Sequence, residues 1–196
     1  FLLWVLYLSF VPIGQTFYGF GWESILLEMG FFSIFLVPFW GWRPFPNQGP
    51  PRVMLWVYWW VVFRMMFGAG LIKIRGDESW RDLTALFTHF ETQPIPNMFS
   101  RWFHFMPRVF LKVGVLFNHF VELVVPFFFF GTRPFRFWAA MFTILFQVVL
   151  IISGNLSFLN WLTVLACLPL LEDGVWKRIL PQSLWEKGSS FPVVKG

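Results

Sequence analysis

This chain is poor in the side chains that most enzymes and metal proteins depend on. It has one cysteine and three histidines in 196 residues, and only 13% of its positions are charged. The single cysteine, Cys167, lies within an apolar run, so an intrachain disulfide and a CxxC redox or zinc motif are excluded. With so few histidines no metal site is expected. The net charge is +5, yet the basic residues are scattered among apolar runs without a polar-spaced stripe. They read as membrane flanks, and no nucleic-acid partner is expected. Phe1 is not an initiator methionine, which suggests a piece of a longer chain or a processed product. Residues 1–22 hold no charge, no basic leader and no small-residue cleavage site, so they read as a spanning helix and not as a secretory signal.

What is abundant settles the broad class. Hydrophobic residues make up 57% of the chain, with 29 Phe and 13 Trp, far beyond the needs of a soluble core. The expected fold is all-α, a polytopic transmembrane helix bundle with an interfacial amphipathic helix, and the first partner is the lipid bilayer. Spans are predicted at about 1–22, 25–42, 53–72, 113–130, 135–152 and 156–171, with an interfacial loop region at 73–112. Together these make a transmembrane domain over 1–172, followed by a polar tail or linker over 173–196.

Within the spans the polar residues are few and costly. Arg64, near the middle of the third span, is expected to face the bundle interior or a watery cavity. Asn118, His119 and Glu122 fall three and four apart and are expected to share one helix face, as an interhelical hydrogen-bond cluster. The uncharged run over 137–171 would reach about 50 Å as a single helix, too long for a bilayer. A break is therefore expected at Ser153-Gly154-Asn155, with Gln147, Asn155 and Asn160 supplying polar contacts inside the resulting helix pair. A proline-rich interfacial loop is expected over 42–51. If all six segments cross, the balance of Lys and Arg leans toward placing residues 73–112 away from the cytoplasm.

The densest charge lies between the third and fourth spans. Gly68-Ala69-Gly70 would let another backbone approach, and Lys73 and Arg75 mark the helix exit. Ser79 and Asp82 match a capping box, so a helix is predicted from near Trp80, with Trp80, Leu83, Phe87 and Phe90 as its apolar stripe. His89 and Glu91 precede a double-proline bend at Pro94 and Pro96 that fixes chain direction. Asn97, Ser100, Arg101, His104 and Arg108 then recur as a polar stripe, the pattern of a helix lying in the membrane interface.

The phrase GAGLIKIRGDESWRDLT, followed by HFETQPIPN, NHFVELVVPFFFFG and SGNLSFLNWLT, resembles the lipase maturation factor family over roughly residues 57–173. The resemblance implies a polytopic membrane protein that helps secreted lipases fold and assemble into active dimers. It would reside in the endoplasmic reticulum membrane in a eukaryote, or in the cell membrane in a bacterium. It implies that the loop from His89 to Asn97 faces the lumen, and a client platform is then expected from Trp80, Arg81, Asp82, His89, Glu91, Thr92, Gln93, Pro94 and Asn97, with no cofactor and no catalytic residue. It also implies a long non-membrane portion beyond the spans, where client recognition would lie. A weaker likeness, carried by AGLIKI with Asp77 and Trp80, resembles the membrane domain of vitamin K-dependent gamma-carboxylase. That likeness would make the chain an enzyme with Lys73 as base and a quinone-like lipid as ligand, contacted by Arg64, His119 and Glu122.

Overall fold

Helices are the only regular elements among the residues described by the computed structural model, which are 1–36, 49–154, 156–171 and 173–179. An apolar chain in a bilayer has no water to satisfy its amides, and a helix satisfies them within the segment. The helices are α1 (Leu2–Gly14), α2 (Gly21–Ile34), α3 (Arg52–Gly76), α4 (Glu78–Arg81), α5 (Leu86–Thr92), α6 (Ser100–His104), α7 (Arg108–His119), α8 (Arg133–Ser153), α9 (Leu159–Cys167) and α10 (Asp173–Ile179). Three continuous helical stretches, Arg52–Gly76, Arg108–Phe130 and Arg133–Ser153, are long and apolar enough to cross a membrane. The protein is an integral membrane helix bundle. Leu2–Tyr18 and Leu159–Leu170 are apolar but shorter. Helix α1 stops well before residue 22 because Gln15 takes a φ of 44°. The proline-rich loop over 42–51 falls largely outside the described residues, as do Asn155 and most of 173–196.

The chain forms two compact units, residues 1–58 with the segment from Leu171, and residues 59–170. In the first, α1 and α2 run antiparallel. Trp4 donates its indole N–H to the Leu27 carbonyl at 2.8 Å, Tyr7 hydrogen-bonds Glu23, and Tyr58 donates to the Met29 carbonyl at 2.9 Å.

The second unit packs the remainder of α3 with α7, α8 and α9 around Val62, Val115, Val121, Phe129, Ala140 and Ala166, all 1% exposed or less. Large apolar side chains such as Trp138, Leu145, Trp161 and Leu165 point outward, as a lipid-facing surface requires. Between α3 and the helix after α7 the approach is close. A Cβ at Gly70 would meet the Leu123 side chain at 2.6 Å and Glu122 Cβ at 3.0 Å, whereas one at Gly68 would meet nothing within 4 Å. Only one of the two glycines therefore serves the contact.

Helix α7 does not continue as a regular helix. It passes into a π turn over Phe120–Val124 and a 3-10 stretch over Val125–Phe130. Pro126 lacks the amide that would bond to the Glu122 carbonyl four residues earlier, so the ladder loosens just before it. Glu122 thus sits on a backbone irregularity of the kind often found at functional sites.

The segment over 77–107 departs from the simple amphipathic pattern. The first cap is Asp77, whose side chain accepts from the Ser79 amide at 2.8 Å, two residues earlier than a Ser79 cap would give. Those bonds hold the Asp77 carboxyl below its usual range. Helix α4 lasts a single turn, because Leu83 takes a left-handed φ of 58° and the Thr84 amide returns to the Ser79 carbonyl at 2.8 Å. This is a Schellman-type stop with leucine where glycine is usual, at a cost of about 1–2 kcal/mol. It breaks the expected stripe Trp80, Leu83, Phe87, Phe90 into two helices. The interfacial helix is likewise short. Only Ser100–His104 is helical, and Pro107 separates it from α7.

Candidate functional site

The second unit encloses a cavity of about 300 Å³, walled by α3, α5, the π turn, α8 and α9. A smaller cavity of about 130 Å³ lies against it, and His89, Asn118, Phe146 and Leu150 line both.

One end of the main cavity is charged. Lys73, in the last turn of α3, is well placed for the negative end of that helix. Its ammonium donates to Glu122 Oε1 at 2.5 Å and to Asn118 Oδ1 at 2.8 Å. Asn118 Nδ2 closes the triangle by donating to Glu122 Oε2 at 2.8 Å. The Glu122 side chain is 4% exposed and that of Lys73 25%. The Trp80 ring covers the ammonium at 4.8 Å. Such a pair close to balances its own desolvation, but either member left alone would be a charge without its counter-charge, held by Asn118 only.

The roof comes from the double-proline bend and its neighbours. His89 faces the cavity, and its pKa lies below the ordinary histidine value, first through burial and then through the nearby Lys73 ammonium. Gln93 donates to the Ser153 carbonyl at 3.4 Å. Asn97 Nδ2 reaches the carbonyls of Ile151, Ile152 and Gly154 at 2.9, 2.8 and 3.1 Å, and Ser100 Oγ donates to the Ser153 carbonyl at 2.7 Å. These side chains supply donors to the last carbonyls of α8, which a helix end otherwise leaves without partners. The bend therefore closes α8 and roofs the cavity in one stroke.

Residues 1–178 match the family described as lipase maturation factor transmembrane domain. The chain belongs to the lipase maturation factor family. It is 51% identical over 180 residues to Lipase maturation factor 1 of Mus musculus, an alignment covering 91% of this chain and 31% of that protein. Identity to Lipase maturation factor 1 of Homo sapiens is 50% over 180 residues, 91% of this chain and 32% of that protein. To Lipase maturation factor 2 of Xenopus tropicalis it is 38% over 176 residues, 88% of this chain and 25% of that protein. The chain thus spans about a third or less of the length of these curated relatives. No solved structure matches it.

In this member of the lipase maturation factor family the residues expected to form one platform divide by direction. Trp80, His89, Gln93 and Pro94 line the cavity, and Asn97 is spent on α8. Arg81, Asp82, Glu91 and Thr92 are exposed. Arg81 pairs with Glu78 at 3.3 Å, and Glu91 with His104 at 3.0 Å. Among the intramembrane residues, Asn118 and Glu122 share a face as their spacing predicts. His119 turns aside and contacts the Trp80 carbonyl at 2.9 Å through Nε2, while its Nδ1 has no partner. Arg64 does not face the cavity. It continues the exposed row Trp56, Trp60, Arg64, each one helical turn from the last, while the buried face of α3 runs through Val62 and Met66. Asn155 lies outside the described residues.

The comparisons give no support to the carboxylase likeness. Lys73 is held by Glu122 and Asn118, and Arg64 and His119 do not join it at the cavity. Several lining residues carry no signal in the sequence, above all Met66, Phe146 and Leu150. The signal for this wall was present in part, since Thr143 and Gln147 lie four apart on α8 and Asn160 and Thr163 three apart on α9, all buried in otherwise apolar helices.

Proposed function

We propose that this chain is the membrane core of a maturation factor that assists the folding and assembly of secreted lipases, in the endoplasmic reticulum membrane of a eukaryotic host. The extent and level of the family match is the observation that carries this reading, since the relatives are named for lipase maturation. The same reading turns the bend over 89–97 toward the lumen. The exposed residues Arg81, Asp82, Glu91 and Thr92 then form the client-facing surface. Trp80, His89, Gln93, Pro94 and Asn97 hold that surface in shape from beneath. Lys73 and Glu122 fix the bundle under it and take no part in chemistry.

The test is complementation. Cells lacking their own lipase maturation factor would receive the complete protein that contains this domain, and secreted lipase activity would be measured against lipase antigen. Restored activity per unit of antigen is expected. Changing Arg81, Asp82, Glu91 and Thr92 together to Ala is expected to lower that ratio while leaving the membrane protein at its normal level. An unchanged ratio would remove this surface from client contact, and failure of the unaltered protein to restore any lipase would overturn the maturation reading.

A further inference from the structure

The cavity contains a hydrogen-bonding mismatch that its own side chains leave open. Asn160 is 1% exposed and lines the cavity, yet its Oδ1 has no hydrogen-bond partner. Turning the amide over does not help, because Oδ1 would then oppose the Gln147 carbonyl that now accepts from Nδ2 at 3.5 Å. Beside it, Gln147 Nε2 donates to Met66 Sδ at 3.7 Å, and a thioether is a weak acceptor. An acceptor without a donor and a donor on a poor acceptor thus stand side by side on α8 and α9.

A hydroxyl group answers both needs. Its hydrogen goes to Asn160 Oδ1 and its oxygen receives the Gln147 N–H. A carbonyl or ether oxygen could take only the second bond and would leave Asn160 as it is. Charge narrows the ligand further. Lys73 and Glu122 already neutralise each other at 2.5 Å, so the lining offers no uncompensated charge to an ion. Met66 and Lys73 are two helical turns apart, about 10 Å along α3, so the amide pair lies at a different level from the charged end. Apart from Thr163, whose hydroxyl donates to the Leu159 carbonyl at 2.8 Å, the lining around the amides is apolar, with Met65, Met66, Phe146, Leu150 and Leu159. Leu156, at the rim, is 40% exposed, and the surrounding surface is lipid-facing.

We propose that this cavity binds an uncharged lipid with a single hydroxyl group, its oxygen between Gln147 and Asn160 and its hydrocarbon along Met65, Phe146 and Leu150. The proposal goes beyond the maturation reading and does not depend on it.

The experiment uses the complete protein in native membranes with hexadecanol carrying a chain diazirine, and palmitic acid carrying the same diazirine in parallel. After irradiation, the alcohol is expected to label peptides containing Met65, Met66 or Leu159, and excess unlabelled hexadecanol should compete. Asn160→Leu and Gln147→Leu are each expected to reduce the labelling roughly ten-fold. Competition on the unaltered protein keeps the result readable even if a variant folds poorly. Equal or stronger labelling by the fatty acid would overturn the choice of an uncharged ligand. Labelling confined to outward residues such as Trp138 and Leu145, without competition, would mean that the cavity holds only water and would overturn the site itself.

Discussion

Lys73 and Glu122 come from helices far apart in sequence, and neither makes sense in a membrane without the other. Changing Lys73 to Met leaves a buried carboxylate, and changing Glu122 to Gln leaves an ammonium without its counter-charge. Each single change is expected to cost about 3–5 kcal/mol, and the double variant Lys73→Met with Glu122→Gln much less, read as thermal unfolding in detergent through a double-mutant cycle. A loss in the double equal to the sum of the two single losses would show that the two residues act separately. The same ammonium bears on His89, whose folded-state pKa lies below its unfolded value. The neutral form is favoured on folding, so the stabilisation is complete above about pH 6.5 and is lost as pH falls through the lower folded value. Thermal stability is therefore expected to drop on acidification below about pH 6.5, and His89→Gln to flatten that dependence. Of this cluster, the shared face of Asn118 and Glu122 was legible, because four-residue spacing fixes it. Lys73 as their partner was not, because nothing local brings residues 73 and 122 together.

At the level of elements, two junctions decide the shape of the second unit. The first is the contact of α3 with the π turn. Gly70→Ala is expected to destabilise by about 1–3 kcal/mol, since its methyl would collide with Leu123 and Glu122. Gly68→Ala meets open space and should be neutral or stabilising by up to about 1 kcal/mol through helix propensity. Comparable losses at both positions would contradict the contact as described. The second junction is the end of α8. Asn97→Ala removes a donor to three carbonyls and is expected to cost about 1–3 kcal/mol, with faster hydrogen exchange in the last turn of α8 as the readout. Helix signals in the sequence located the exit of α3 and a break near Gly154, where α8 ends at Ser153. They failed over 77–107. The spacing of Trp80, Leu83, Phe87 and Phe90 fits one helix, but Leu83 adopts a left-handed backbone and splits it. Asn97 and Ser100 fit a solvent-facing stripe by period alone, yet both turn inward to close α8. Polar residues at a membrane interface can face water or an open helix end equally well, and periodicity does not distinguish the two.

For the whole molecule, the expected behaviour follows from the division between an inward-facing bend and an outward-facing rim. On the proposed maturation role, loss of the rim should impair lipase output with the protein level intact. Breaking the Lys73–Glu122 pair by changing one partner should lower the protein itself, and, on the proposed role, lipase output with it. Immunoblotting of the membrane fraction beside the lipase assay separates the two outcomes. If Lys73→Met left protein abundance normal and abolished lipase output, the pair would have a role beyond holding the bundle.

The sequence by itself determined the class of this protein. A chain so apolar can satisfy its backbone in a bilayer only as helices, and its short polar blocks carry the family resemblance in order and spacing. Tertiary structure alone decided which polar residues meet. It placed Arg64 on the outer face of α3, drew Lys73 to Glu122, turned Asn97 onto the end of α8, and left Asn160 facing an apolar cavity with an open acceptor. The physical reason is that hydropathy and period are properties of a single helix. Pairing a buried charge or amide depends on which helix lies opposite, and that is set by packing across the whole unit.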